Sequence, residues 1–150
     1  MKGELMMKLL ADAINSYLSA EHNIQRLLTE SKELMDNVNV YRLNSEDAQQ
    51  YHTLYQAIQG LEEAHNSIVD LSKEVQLEGY LQKNEWDRYE LCGRELTSGS
   101  SVDVWRDDPE MKEGGYYVQS RIEHRGDDYY CVAMPYIKLE GLKARYRALP

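Results

Sequence analysis

A chain of 150 residues, 42% hydrophobic and 29% charged, is long enough for one domain or for two small units with a hydrophobic core. Its formal net charge of −9 repels phosphate backbones, which disfavours general nucleic-acid binding and suits a basic protein partner. The two cysteines are too few for a disulfide framework, and no apolar run approaches the roughly 20 residues of a membrane helix. We therefore predict a cytoplasmic protein with no membrane segment, no metal and no cofactor.

The first segment, residues 4–36, repeats apolar residues at helical spacing. Leu10, Ile14 and Tyr17 begin a stripe that recurs every three or four positions as far as Met35. Such a stripe predicts an amphipathic helix. Glu21 weakens the stripe, which allows a kink near the sequence SAEHN.

A second helical segment follows an asparagine-rich loop. Ser45 is the predicted N-cap, and apolar residues from Tyr51 to Ile68 alternate in steps of three and four, as in a coiled-coil seam. His65 lies on this seam, where a polar side chain fixes register more often than it binds a metal. The two segments predict an antiparallel helical hairpin over residues 1–76. The seam could close within the chain or across a homodimer formed through the helices.

From about Gly79 the period changes to two. Short segments rich in Val, Tyr and Ile, separated by turns such as LTSGSS and HRGDD, predict five or six antiparallel strands. In SVDVW, Val102 and Val104 face one side while Asp103 and Trp105 face the other. The predicted fold class is α+β: the helical hairpin is followed, over residues 77–150, by a small antiparallel SH3-like β-barrel.

One pattern of residues runs through this second half: Val102, Val104, Trp105, Arg121, Ile122, Glu123, Tyr129, Tyr130, Leu139, Gly141, Leu142, Arg145 and Arg147. In this pattern the second half resembles a family of small bacterial proteins that is described only as a domain of unknown function. The resemblance covers roughly residues 79–147 and implies no activity. It does imply a setting, since such domains occur on plasmids, integrated elements and phages of Gram-positive bacteria. The insert RDDPEMKEGGYY is longer and more acidic than the family pattern.

No catalytic residues are predicted. Cys92 precedes the glycine and serines of GRELTSGSS, but no histidine lies at a recognisable spacing and SGSS is not a nucleophile elbow. We interpret Cys92 and Cys131 as small core or half-buried strand residues. Glu21 and His22 have no third ligand placed by the sequence, so no metal site is predicted. The protein is expected not to be an enzyme.

Two charged surfaces remain as candidate sites. The acidic residues around Pro109 lack the calcium pattern D-x-D-x-D-G, so they form either a solvated hairpin loop or a contact surface for a basic partner. The basic residues form either a nucleic-acid-binding stripe or a strand edge protected by charge, with Glu123 and Glu90 as neutralising partners. The acidic set is Asp107, Asp108, Glu110 and Glu113, and the basic set is Arg121, Arg125, Lys143, Arg145 and Arg147.

We favour a non-enzymatic interaction protein of a phage or mobile element that acts in the host bacterial cytoplasm. In this hypothesis the acidic surface occupies a basic groove of a host protein, such as a CRISPR-associated or other defence nuclease, and inhibits it as anti-CRISPR proteins do. The alternative is a nucleic-acid-binding accessory module that uses the basic set.

Overall fold

The computed structural model describes residues 2–150, which form two compact units, one ending at Ser72 and the other spanning Lys73–Pro150. The division falls slightly before the boundary predicted between residues 76 and 77, because the first strand already begins at Glu74. The fold class is α+β, with two helices followed by antiparallel sheets. Over residues 2–150, no helix is both long and apolar enough to cross a membrane.

The first unit is a hairpin of two long helices, α1 (Lys2–Asp36) and α2 (Ser45–Asp70), with a 3-10 turn at Val40–Arg42 in the connecting loop. α1 is one uninterrupted helix through the sequence SAEHN. Its stripe buries Leu28, and the seam of α2 buries Ile58. The helical hairpin expected from the two periodic segments is therefore present.

α2 begins one residue away from the predicted cap. The side chain of Asn44 accepts a hydrogen bond of 2.8 Å from the backbone N–H of Asp47. Asn44 is therefore the N-cap, and Ser45 is the first helical residue. Asn and Ser cap helices about equally well, so composition alone does not choose between two adjacent candidates.

The polar residues that interrupt the two helical stripes contact each other. His65 Nε2 on α2 lies 2.8 Å from Glu21 Oε1 on α1, and His65 is only 7% exposed. A polar pair in an apolar seam is satisfied in one register of the two helices and left unpaired in others. This contact favours the register role predicted for His65.

The second unit contains eight strands in two sheets. The larger sheet has the order β1-β8-β5-β6-β7 and the smaller one the order β2-β3-β4, with antiparallel neighbours throughout. The strands are β1 (Glu74–Tyr80), β2 (Gln82–Lys83), β3 (Tyr89–Leu91), β4 (Arg94–Glu95), β5 (Ser101–Asp107), β6 (Gly115–Arg125), β7 (Asp128–Cys131) and β8 (Lys143–Ala148).

The predicted SH3-like barrel is not confirmed, because the five-stranded sheet is open. β1 and β7 are its two edges, and within Lys73–Pro150 no strand pairing joins them. After Cys131 the chain leaves the sheet through residues 132–142 and returns as β8 between β1 and β5. The turn predicted at HRGDD is confirmed: it joins β6 to β7, and Gly126 has the positive φ of 61° that glycine tolerates best.

The hydrophobic core of this unit contains residues of both sheets. Val102 and Val104 of β5 and Leu91 of β3 are at most 2% exposed and belong to one cluster. The neighbouring residue Asp103 points away from that cluster toward the arginines of β8. The two faces predicted for SVDVW are therefore confirmed, and the second face is a polar one.

The Glu21–His65 contact yields a stability prediction. The variant Glu21→Leu should lower the free energy of unfolding by about 1–2 kcal/mol, because it leaves His65 buried without its partner. Adding His65→Leu should restore most of the loss, since two apolar side chains in a seam need no hydrogen bond. Urea unfolding followed by far-ultraviolet circular dichroism measures both effects. A double variant that is no more stable than Glu21→Leu alone would contradict the prediction.

Candidate functional site

The acidic residues predicted to bind a partner lie on the hairpin loop between β5 and β6. We call residues 107–113 the acidic loop. The backbone N–H of Asp108 donates to the carbonyl oxygen of Gly114 at 2.8 Å, and that of Met111 donates to the carbonyl oxygen of Asp108 at 3.0 Å. The Asp108 side chain accepts from the backbone N–H of Glu110 at 3.1 Å. Glu110 and Glu113 are exposed, so the loop is ordered by its backbone while these two carboxylates face solvent.

A tryptophan at the base of the acidic loop orients its first carboxylate. Trp105 Nε1 donates to Asp107 Oδ1 at 3.0 Å. The indole lies over Gly115, where an added Cβ would come within 2.8 Å of the ring and 2.3 Å of the Arg106 carbonyl oxygen. Only glycine fits this position, because any side chain would displace the ring or the backbone. Gly115 in the insert therefore leaves the space that the Trp105 indole occupies.

Two arginines of the basic set share one buried carboxylate. Asp103, 5% exposed, accepts from Arg145 Nε at 3.1 Å and from Arg147 Nη2 at 3.2 Å, and Arg147 Nε also binds it. The arginine side chains are 28% and 14% exposed. The partner of Arg145 and Arg147 is therefore Asp103, whereas Glu123 pairs with Arg121. The expected strand edge was wrong, because β8 lies between β1 and β5. The sequence does contain a signal for this pairing: Asp103 lies between two core valines on one strand, and another strand carries the pattern Arg-x-Arg.

The other residues of this face form a stack of cations and aromatic rings. Lys143 Nζ lies 4.4 Å from the centroid of the Trp105 ring, and the Arg145 guanidinium carbon lies 4.2 Å from that of Tyr117. The two rings meet edge to face with 5.2 Å between centroids. These distances are within the range of cation–π attraction, so the cations are held by the sheet.

Tyr117 is fixed at its polar end as well. Its hydroxyl donates to Glu78 Oε1 on β1 at 2.7 Å. Burial and this hydrogen bond to a carboxylate both raise the pKa of the Tyr117 hydroxyl above its usual value. The phenol therefore stays neutral well into the alkaline range and keeps its hydrogen bond.

The remaining arginines of the basic set have local partners too. Arg121 pairs with Glu123 at 2.9 Å on the surface of β6. Arg125 lies with its guanidinium carbon 4.5 Å from the centroid of the Tyr130 ring and donates to the Pro135 carbonyl oxygen at 3.2 Å. The structure does not gather the five basic residues into one unpaired patch.

A groove of about 430 Å³ opens beside the acidic loop, between the end of β5 and the loop that follows β7. Tyr136 and Ile137 on its outer wall are 96% and 47% exposed. Sequence analysis missed this groove because its walls come from segments that lie far apart in the chain. Its lining residues are Trp105, Arg106, Asp107, Ala133, Met134, Pro135, Tyr136, Ile137 and Leu142.

The two cysteines occupy different environments. Cys131 is buried at the end of β7, and its Sγ donates to Ser120 Oγ at 2.9 Å, which confirms it as a core residue. Cys92 is exposed in the turn between β3 and β4 with a φ of 50°, so its assignment to the core or to a half-buried strand was wrong. The turn requires a backbone conformation that the alternation of side chains does not reveal. Within residues 2–150, no three His, Cys, Asp or Glu side chains are grouped as a metal site would require.

The shared carboxylate yields a second stability prediction. The variant Asp103→Asn should lower the free energy of unfolding by about 3–5 kcal/mol, because Arg145 and Arg147 then lose the carboxylate that they share on a largely buried face. The control variant Glu123→Gln breaks the exposed pair with Arg121 and should cost less than about 1 kcal/mol. Chemical denaturation monitored by tryptophan fluorescence measures both. Equal losses in the two variants would contradict the special role of Asp103.

The raised pKa of Tyr117 yields a pH prediction. The unfolded chain loses this proton at about pH 10, before the folded chain does, so the stabilisation is complete below about pH 10 and declines above it. The stability difference between the wild type and Tyr117→Phe should therefore shrink as the pH rises from about 8 to about 11. Urea unfolding at several pH values measures this difference. Tyr41→Phe, at a side chain that is 96% exposed, is the control. A difference that stays constant with pH would contradict the prediction.

Comparison with known proteins concerns the second unit. Residues 79–146 match the model of a family described as a domain of unknown function, DUF5348. The matched region begins within β1 and ends within β8, and it does not include the helical hairpin. No curated protein and no solved structure matches the chain. A DUF5348 domain thus covers the C-terminal part of this protein.

Proposed function

We propose that the protein acts by binding a partner protein through the acidic loop and the groove beside it. The partner would supply a basic segment that carries at least one apolar side chain. Its cations would meet the carboxylates of the loop, and its apolar side chain would enter the groove. Binding of this kind needs complementary shape and charge, and it needs no catalytic group.

The observation that carries the proposal is the position of Asp107. This residue belongs to the acidic loop and also lines the groove, next to the indole of Trp105. A groove of about 430 Å³ lies in the size range of sites that bind small ligands or single anchoring side chains. The lining is mostly apolar, and its charged members are Arg106 and Asp107. Because Asp107 continues into the acidic loop, the groove matches an apolar anchor that is preceded or followed by Lys or Arg.

The contacts of the basic set support this choice over nucleic-acid binding. Arg145 and Arg147 share Asp103, and Arg121 pairs with Glu123. A phosphate backbone would have to compete with these carboxylates before it released any counterions. The net charge of −9 opposes it further.

The class of partner follows from the setting that the family resemblance implies. An acidic protein of a phage or mobile element meets host enzymes that bind nucleic acid through basic grooves. In the most specific form of the proposal, the protein occupies such a groove on a defence nuclease, as anti-CRISPR proteins do. The nuclease would then lose its activity. Electrostatic steering would also make association fast and sensitive to salt.

The test compares two variants with four neutralised carboxylates each. The loop variant combines Asp107→Asn, Asp108→Asn, Glu110→Gln and Glu113→Gln, which retain hydrogen-bonding groups of the same shape. A host protein captured from a Gram-positive lysate on the wild type is then purified, and its affinity is measured by calorimetry. We expect the loop variant to bind at least about 10-fold more weakly, which corresponds to about 1.4 kcal/mol. The control variant neutralises exposed acids elsewhere in the second unit, namely Glu74, Glu85, Asp87 and Asp127.

Two outcomes would reject the proposal. Equal weakening by the loop and control variants would mean that net charge matters and the loop does not. Unchanged binding by Ile137→Asp, which places a charge in the groove wall, would show that the groove is not part of the site.

Fluorescence anisotropy with short DNA and RNA at two salt concentrations tests the alternative function, which is nucleic-acid binding. Tight binding that weakens steeply with salt would favour the accessory nucleic-acid-binding module.

A further inference from the structure

The first helix continues past the end of the second one. The contact between Glu21 and His65 fixes how the two antiparallel helices align, and in that alignment Asp70, the last residue of α2, lies opposite Ser16. Residues 2–15 of α1 therefore have no helical neighbour within the first unit. We call them the overhang.

The overhang carries the apolar stripe of α1 without a cover. In the paired part of the helix, Leu28 is 4% exposed. In the overhang, five large apolar side chains are between 59% and 72% exposed, whereas Ile14 at its inner end is half-buried. Met6, Met7 and Leu10 continue the face of the stripe, and an exposed apolar face on an amphipathic helix marks a contact surface. The five exposed side chains are Leu5, Met6, Met7, Leu9 and Leu10.

We propose that the overhang pairs with the overhang of a second copy of this chain. The two helices run antiparallel and cross at Leu10, so that a two-fold axis passes between the two Leu10 side chains. Each overhang then lies along the apolar stripe of the other copy's overhang. The seam of the hairpin continues across the dimer, and one surface serves both copies.

The order of side chains along the stripe fits this arrangement. With Leu10 opposite Leu10, Met7 lies opposite Ala13 of the second copy, and Gly3 lies opposite Tyr17. Large side chains thus meet small ones on both sides of the axis, as close packing of helices requires. Met6 meets Ile14, two side chains of similar size.

The distribution of charge along the hairpin also favours a second copy of the chain as the partner of the overhang. Residues 2–18 contain two lysines and two acids and are neutral overall, whereas Asp and Glu outnumber Lys and Arg by nine to three in residues 21–70. Two acidic chains repel each other least where they are neutral. In the register centred on Leu10, Lys8 is level with Asp12 and Glu4 with Ser16, so no two like charges are level. A membrane surface is disfavoured, because the overhang lacks the excess of Lys and Arg that anionic lipids attract.

The length of the contact between the two overhangs indicates how stable the proposed dimer should be. Residues 2–17 span about 24 Å at 1.5 Å per residue. A contact between two helices of this length is at the small end of stable interfaces, so monomer and dimer should interconvert with concentration.

Analytical ultracentrifugation of the full 150-residue chain tests the proposal. We expect the mass to rise with concentration from the 17.5 kDa of the monomer toward twice that value. The variant Met7→Glu with Leu10→Glu should remain monomeric at every concentration while its circular dichroism keeps the helical signal. The control variant Asn15→Glu with Ser19→Glu adds the same charge to the opposite face of the helix and should still dimerise.

A cross-linking experiment tests the register. In a Cys92→Ser background, Leu10→Cys should form an intermolecular disulfide in oxidised glutathione, because the two-fold axis brings the two thiols together. Asn15→Cys, on the opposite face, should not. A wild type that is monomeric throughout would overturn the proposal, as would a dimer that survives the glutamate variant. A dimer without a disulfide at position 10 would overturn the register. A monomer that sediments with phosphatidylglycerol vesicles would assign the overhang to a membrane surface instead.

Discussion

Asp103 is the one acidic side chain of the second unit that is almost completely buried. It lies on the face of the sheet opposite the hydrophobic core, where it binds both Arg145 and Arg147. Removing a carboxylate from water is costly unless cations and hydrogen bonds replace the lost hydration. The arginines can supply them only when β8 lies beside β5, so the arrangement of the central strands and the burial of this charge depend on each other. The stacked rings of Trp105 and Tyr117 then cover the rest of the face.

This contact also decides which charges the second unit presents to a partner. Arg145 and Arg147 share Asp103 and Lys143 lies over Trp105, so the cations of the basic strand are held by contacts with their own neighbours. The carboxylates of Glu110 and Glu113 remain exposed on a loop whose backbone is ordered. In the second unit, these exposed carboxylates lie beside an apolar groove, and the proposed mode of binding follows from that arrangement.

Much of the architecture was predictable because it depends on short-range patterns. The steps of three and four residues predicted both helices, and the alternation in SVDVW predicted which side chains enter the core. The choice of Asn44 over Ser45 was not predictable, because the two side chains cap equally well. The open sheet, the groove and the partner of Arg145 depend on pairings between strands that are distant in the chain, and periodicity carries no information about them. The contact of Glu21 with His65 was partly predictable. The sequence shows each residue as a polar interruption of its helical stripe, but it does not show that the two residues pair, because that depends on how the helices align.

The place of β8 in the larger sheet has a consequence for folding during synthesis. Lys143–Ala148 lies between β1 and β5, although it is the last of the strands to leave the ribosome. The helical hairpin contains only local pairings and can form early, whereas β1 has no partner in its sheet until β8 has emerged. A ribosome that stalls before residue 143 would hold a folded hairpin attached to a β1 with unpaired backbone groups on both sides. Such nascent chains would be the ones that chaperones bind and proteases remove.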